Sequence, residues 1–283
     1  MSVFAVRHMQ EDEMILAVDW AAAEGWNPGL HDAACFWAAD RQGFLLGLRD
    51  GQPVGCISAV SYGSTHGFLG FYIVRPEWRG RGYGLKLWQA AMNQLAGRII
   101  GLDGVTAQQE NYKKSGFRLA YRNIRYGGVL RPAAITSDGD DCILSANEVG
   151  HARLAAYDSH LFFAPRPAFL ESWLTQPGGT ALAVVRQGEV AGYGVIRPCR
   201  AGFKIGPLFA DDPYVAERLL SALAAAAGGE PIFLDVPKVN DAARDLAETY
   251  GMSPVFETAR MYTGQAPTLD LQKVFGVTTF ELG

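Results

Sequence analysis

Residues Arg79-Gly80-Arg81-Gly82-Tyr83-Gly84 place two guanidinium groups and three glycines in six positions, between an apolar run ending at Val74 and a segment with helical spacing. The first amides of a helix have no intrahelical acceptor, and the helix dipole adds partial positive charge there. A strand that turns through bare backbone into a helix is therefore a seat for phosphates. Glycine suits the turn because no Cβ stands between amide and ligand oxygen. Two well-known phosphate loops are excluded. Lys86 lies between Leu85 and Leu87, so the Gly-Lys-Ser/Thr order of a nucleotide-triphosphate loop is missing. Gly80, Gly82 and Gly84 alternate as GxGxG after strands with hairpin features, unlike the GxGxxG that follows the first strand of a dinucleotide fold. A solvated surface turn and an arginine-glycine contact to nucleic acid are the competing readings.

The elements that must hold this loop follow from the flanking residues. A short strand near Phe4 precedes a helix beginning near Glu11 or Asp12, where acidic side chains suit the helix dipole; Gly25 and Asn27-Pro28-Gly29 stop it. A second helix spans His31 to Ala39. Asp50-Gly51 between apolar runs predicts a hairpin, so three strands stand between that helix and the loop. After it, Leu85, Trp88, Ala91, Met92 and Leu95 share one helical face. A strand near Ile99, a short helix closed by Gly116 and a strand over 118–128 complete a βααβββαβαβ order.

A linker-like stretch rich in Pro, Gly, Ser and Asp follows from about Gly128. Beyond it the chain repeats itself. Residues 184–197 mirror 47–60, and 232–252 mirror 99–117. We expect two tandem copies, 1–128 and 142–283, joined by a 129–141 linker. The expected fold class is α/β with a mixed, mostly antiparallel sheet flanked by helices in each copy.

With 49% hydrophobic and 19% charged residues, the 283-residue chain reads as folded and globular. A formal net charge of -4 argues against coating nucleic acid or an anionic membrane, so neither is an expected partner. Cys35, Cys56, Cys142 and Cys199 form no CxxC pair and have no neighbouring His cluster, which predicts no metal and no disulfide framework. Residues 1–20 carry acidic groups where a secretory signal needs an apolar core, and no run approaches a membrane span. The expected location is cytoplasmic.

Arg79-x-x-Gly82-x-Gly84 resembles the pyrophosphate-binding motif of the GCN5-related N-acetyltransferases, (Gln or Arg)-x-x-Gly-x-(Gly or Ala). Tyr112-Lys-Lys-Ser-Gly116-Phe117 is similar to the Tyr-x-x-x-Gly-Phe that closes that family's fourth helix, and the element order agrees over about residues 3–127. The resemblance implies acetyl-coenzyme A as co-substrate. It implies a cradle from Arg79, Gly80, Arg81, Gly82, Tyr83 and Gly84, and main-chain contacts to the pantetheine arm from Tyr72, Ile73 and Val74. Tyr112 takes the position of the family's proton donor to the leaving thiolate, against the alternative of a half-buried packing Tyr. Val105 stands where the family often has Asn. Residues 24–32 correspond to a wall of the acceptor site, which nominates Glu24 as base, with Asn27, His31 and Asp32 as substrate contacts; His66 is another candidate. Direct transfer to a primary amine of a small molecule, in a ternary complex, is the implied reaction. A non-catalytic acyl-coenzyme A sensor is the alternative. The family often dimerises, so a homodimer is a possible assembly.

The second copy departs from the pattern. Its loop counterpart, Lys204 to Leu220, is poor in glycine and carries Asp211-Asp212, and Ala247 stands where Tyr112 aligns although Asn240-x-x-Ala243 is kept. We expect no coenzyme there. Residues 158–173 bring aromatics and Arg166 that could close over an acceptor or form core. Leu271, Val274 and Phe275 are too apolar for a free tail, so the closing segment should pack back.

Overall fold

The computed structural model describes residues 3–130 and 141–283; most of the expected linker lies outside the described residues. The first copy runs β1 (Phe4–His8), α1 (Met14–Ala23), α2 (Asp32–Ala39), β2 (Phe44–Arg49), β3 (Gln52–Tyr62), β4 (His66–Val74), α3 (Tyr83–Gln94), β5 (Ile99–Val105), α4 (Gln109–Lys114) and β6 (Arg118–Gly128). The second runs β7 (Cys142–Ser145), α5 (Ala146–Val149), α6 (His151–Leu161), α7 (Pro167–Leu174), β8 (Thr180–Arg186), β9 (Glu189–Pro198), β10 (Phe203–Ala210), α8 (Pro213–Ala224), β11 (Ile232–Pro237), α9 (Asp241–Thr249), β12 (Ser253–Tyr262) and β13 (Val274–Gly276).

The repeat is visible in the turns. Asp50 and Gly51 both take positive φ, 49° and 80°, and Gln187 and Gly188 do the same at 51° and 83°. Each pair makes a two-residue loop whose twist matches the strands it joins, β2 to β3 and β8 to β9. On α3 the buried face is Leu87, Trp88, Ala91 and Leu95, whereas Leu85 is exposed. The expected stripe is thus rotated, because Leu87 packs under the helix and frees Leu85 at the loop side.

Among the described residues the strands form one sheet of 13, ordered β1-β2-β3-β4-β5-β12-β6-β11-β10-β9-β8-β7, with β13 on β10. The copies are separate in sequence but exchange one strand each, β6 and β12. β12 of the second copy pairs antiparallel with β5 of the first, and β6 of the first pairs with β11 of the second. Each exchanged strand carries an arginine opposite a buried aspartate of the other copy. Arg260 faces Asp103 with bonds of 2.9 and 2.5 Å, and Arg125 faces Asp235 with bonds of 2.6 and 2.8 Å. The aspartates hold equivalent places in the repeated segments, so the two pairs are pseudo-symmetric. A third buried pair, Arg197 with Asp32 at 2.8 Å, ties β9 to α2. Losing one member would strand a charge in the core, so these pairs fix how the copies meet.

Candidate active site

β4 and β5 run parallel from His66↔Ile99 to Leu69↔Leu102 and then part. The departure begins at Phe71, a non-glycine residue at φ +46°, where the register of β4 against β3 shifts. The buried Cys56 thiol donates to the Phe71 carbonyl at 3.2 Å and holds the bulge. Because β5 continues on β12 while β4 continues on β3, the edges of 70–74 and 103–105 face a cavity of about 420 Å³. Tyr72, Ile73, Val74, Arg79, Tyr112 and Glu24 line it.

Beyond Val74 a 3-10 turn, Pro76–Trp78, leads into the loop. Gly80 and Gly82 sit at φ 73° and 78°, with open space where a Cβ would project. Gly82 is the N-cap of α3 and has no side chain to occupy the first-turn amides. Gly84 has a different reason: a Cβ there would meet the Tyr72 hydroxyl at 2.8 Å and Val74 at 3.3 Å, so it lets α3 lie close on β4. Arg79 Nε donates to the Val74 carbonyl at 2.8 Å and its guanidinium also binds Glu24. Arg81 lies over the Trp78 ring at 4.9 Å, with Arg49 at 4.8 Å over the same ring, while Tyr83 stacks on Phe4. The loop is basic, bare at its amides, and braced by aromatics.

Tyr112 stacks on Trp88 with centroids 5.6 Å apart. It crosses β5 only because residue 104 is glycine; a Cβ there would lie 2.2 Å from its ring. Burial, with a smaller push from Tyr72, lifts the phenol to about 12, so it is a neutral hydrogen-bond donor across the ordinary pH range. The half-buried ring thus packs on Trp88 and also lines the cavity. The Cys35 thiol is lifted by burial to about 11 and Cys56 is raised further, which makes both poor nucleophiles.

The residues nominated as acceptor contacts fare differently. Glu24 reaches the cavity, but its carboxylate is engaged by Arg79, which suits orienting that arginine better than accepting a proton. Asp32 is 1% exposed, paired with Arg197, and accepts from the Gly29 amide at 2.7 Å; it does not line the cavity. Asn27 exchanges two hydrogen bonds of 2.9 Å with the Ala201 backbone and so pins the α1–α2 loop to the second copy. His31 is exposed at the N-cap of α2 and also lies off the cavity, as does His66, bound to the Thr65 hydroxyl. Arg166 is core, held by Asp158 and Thr278. The cavity is also lined by Trp26, Arg125, Phe256, Thr258, Phe280 and Glu281. Sequence reasoning missed them because four belong to the second copy and reach the cavity only through the strand exchange and the closing segment.

Comparison with known proteins agrees with this architecture. The acetyltransferase (GNAT) family profile matches residues 6–117, and an acetyltransferase (GNAT) domain profile matches 154–276. A holothin acyltransferase of Pseudoalteromonas sp. is 32% identical over 273 residues, covering 96% of this chain and 92% of that protein. The chain belongs to the GCN5-related N-acetyltransferase (GNAT) family. It is an acyltransferase with two GNAT copies in tandem. The fold is shared with a proposed acetyltransferase from Pyrococcus horikoshii, at TM-score 0.82 and 22% identity over 99% of this chain and 96% of that one. It is also shared with a tandem GNAT protein from the clavulanic acid biosynthesis pathway, at TM-score 0.64 and 12% identity over 93% of this chain and 100% of that one.

The second GNAT copy has the same opening, since β10 pairs with β11 only from Phe203↔Ile232 to Ile205↔Leu234. Here β13 fills it. β13 pairs antiparallel with β10, the Val277 amide donates to the Asp235 carbonyl at 2.8 Å, and a Cβ on Gly206 would strike the Thr278 carbonyl at 2.5 Å. Asn240, the retained motif residue, caps α9 and donates to the carbonyls of Leu271, Gln272 and Val274, each at 3.0 Å, thereby anchoring the plug. Asp212 caps α8, accepting from the Val215 amide at 2.9 Å where a phosphate would otherwise sit. Lys273 holds Asp211 at 3.0 Å. No helix is long and apolar enough to cross a membrane, and no cluster of metal-ligating side chains occurs among the described residues.

Proposed function

We propose that the first copy, residues 1–128, binds acetyl-coenzyme A and transfers its acetyl group to the primary amine of a small molecule, directly and in a ternary complex. The observation that carries this reading is the continuity of three features: the bare basic loop, the free edge of β4 and the cavity floored by Tyr112. The loop fits a pyrophosphate because Gly80 and Gly82 adopt φ values that side chains resist, and nothing of the protein occupies the space beside them. Arg81 is free to add a charge-assisted contact. The main chain of Tyr72, Ile73 and Val74 would hold the pantetheine arm as an added strand, with an amide polarising the thioester carbonyl.

The amine nitrogen attacks the carbonyl carbon, the C–S bond breaks, and the electron pair leaves on sulfur. Tyr112 donates a hydrogen bond to that thiolate. The attacking amine loses one proton and the thiol gains one, so no net proton is consumed. In the second copy the plug and the capped helix occupy the places a coenzyme would take, which supports assigning it the roles of completing the sheet and walling the acceptor. The similarity to a holothin acyltransferase over nearly the whole chain supports a small-molecule acceptor. Thiol release from acetyl-coenzyme A, followed over a panel of primary amines, tests the reading. At least one amine should give thiol and N-acetylated product in equal amounts, and thiol without acetylamine would count against it.

A further inference from the structure

After β13 the chain does not leave the protein. It runs from the plugged cleft of the second copy to the working cleft of the first. Thr278, Thr279, Phe280, Glu281 and Leu282 are all buried, and Tyr62 donates its hydroxyl to the Leu282 carbonyl at 2.8 Å. Gly70, the residue before the bulge, is glycine because a Cβ would lie 2.1 Å from the Glu281 carbonyl. The strap thus touches β4 at the apex of the splay, where the thioester is expected to lie.

This contact sets a carboxylic acid into the acceptor end of the cavity. Glu281 is 4% exposed and lines the cavity, and burial first, then the charges around it, shift its carboxyl. Thr258, 2% exposed on the same wall, has a hydroxyl without a partner. A buried polar group without a partner is costly, so the Thr258 hydroxyl beside the Glu281 carboxyl marks a wall suited to a ligand with hydrogens to donate. The other walls are Trp26, Phe256 and Phe280, and the last two lie 6.4 Å apart. Arg125, 4.9 Å from the Phe280 ring, spends both carboxylate-directed contacts on Asp235. It has no fork left for an anionic substrate.

We propose that Glu281 binds the amino group of the acceptor and takes its proton, and that the acceptor is a compact primary amine on a flat apolar frame. The inference rests on the acetyl-transfer reading above. An aromatic box with one acid favours an ammonium or amine over a sugar or an amino acid, since a second carboxylate would meet Glu281 and find Arg125 already paired. As the N–C bond forms, the amine proton passes to the Glu281 carboxylate and from there to water, while the thiolate leaves under Tyr112.

Burial raises the Glu281 carboxyl above the usual range, while Lys204, Arg125 and Arg197 pull it down and Asp32 opposes them. These groups come from β10, β6, β9 and α2, with Asp235 of β11 on Arg125 and the buried Cys199 thiol beside them. Three cations face three carboxyl groups when all are ionised. The ionised form of Glu281 therefore has the support a base needs, and its elevated pKa makes it a stronger base than a surface carboxylate.

Calorimetric titration of wild type and Glu281→Gln with 2-phenylethylamine, in the presence of coenzyme A, tests this, with 2-phenylethanol as the uncharged control. The amine should bind at least about 10-fold more weakly to the variant, the alcohol equally to both, and amine binding to wild type should fade in acid as Glu281 takes a proton. Glu281→Asp, which keeps the charge, should recover part of the affinity, and thermal melting of both variants separates misfolding from lost recognition. Equal amine affinity in wild type and Glu281→Gln overturns the assignment, as does no amine binding by a wild type that still takes acetyl-coenzyme A. Failure of wild type to bind acetyl-coenzyme A would instead remove the reading beneath it.

Discussion

Replacing Tyr112 by Phe removes one hydroxyl and little else. That hydroxyl has no hydrogen bond contributing to its pKa, and the ring would keep its stacking on Trp88 and its fit over Gly104. The size of the effect follows from the phenol's position near 12. A thiol has a pKa of about 8.5, so complete transfer from this phenol to a thiolate is uphill by roughly 3.5 units, or about 5 kcal/mol. In the proposed transfer Tyr112 would therefore act by donating a hydrogen bond to the departing sulfur. A hydrogen bond to a charged group contributes about 1.5–3 kcal/mol, which sets the expected loss in kcat at about 10- to 150-fold. Acetyl-coenzyme A affinity and Tm should stay close to wild type. Thiol release under saturating acetyl-coenzyme A, with the affinity from a separate titration, measures both quantities. Wild-type kcat should also show no alkaline limb from Tyr112 below about pH 10, since a group at 12 remains protonated there. Undiminished kcat in the Phe variant, or an alkaline limb near pH 8–9 that the substitution abolishes, would refute this reasoning.

Three other expectations follow from the same contacts. Arg260→Met strands the Asp103 carboxylate, 0% exposed, and should cost about 3–5 kcal/mol in urea unfolding, whereas Arg260→Met with Asp103→Asn should cost less than the single change; strictly additive losses would contradict the pair. Glu24→Gln frees Arg79 from its partner and should shift acetyl-coenzyme A affinity while leaving kcat within about 3-fold; because the pair is partly exposed, stability should change by less than about 1 kcal/mol. A kcat loss above about 100-fold at unchanged affinity would make Glu24 the base after all. Glu281 has its pKa raised on folding, so between the unfolded value near 4.3 and the folded value the native chain binds more protons than the unfolded one. Its contribution to stability therefore falls as pH rises through that window, and wild type should lose stability relative to Glu281→Gln between about pH 4 and neutrality in thermal melts.

The loop, the strand before it and Tyr112 were legible because each is local: glycine spacing, apolar runs and a helix-closing glycine all act within a dozen residues. The element order of the first copy and the repeat were legible for the same reason. The offset of Leu85 and Leu87 was not, since two apolar residues two positions apart on a helix compete for one face and only packing decides between them. Asp32 and Asn27 looked like ligands for substrate because polar residues in a loop carry no record of burial. One is sealed against Arg197 and the other is bonded to the Ala201 backbone, 174 residues away in sequence. Strand exchange was hidden because a strand's sequence fixes which face is apolar and leaves the neighbour open. The clue was present in the repeated Leu-Asp of 102–103 and 234–235, each matched by one arginine in the other copy's exchanged strand. Glu281 was hidden for a related reason: the apolar closing segment predicted packing, but its path between two clefts depends on Gly70, Gly206 and Asn240, none of which stands near it in sequence.

The account centres on one working coenzyme cleft per chain, with its twin filled by β13. Calorimetric titration of the purified chain with acetyl-coenzyme A, beside a Gly82→Glu variant, addresses that most directly. Gly82 sits at φ 78°, so a glutamate there is strained as well as placed, negatively charged, at the N-terminus of α3. The account predicts one site per chain in wild type and none in the variant, with the fold retained by circular dichroism. Two sites would mean that β13 yields to coenzyme. Binding that survives in Gly82→Glu, or no binding by wild type, would contradict the cradle itself.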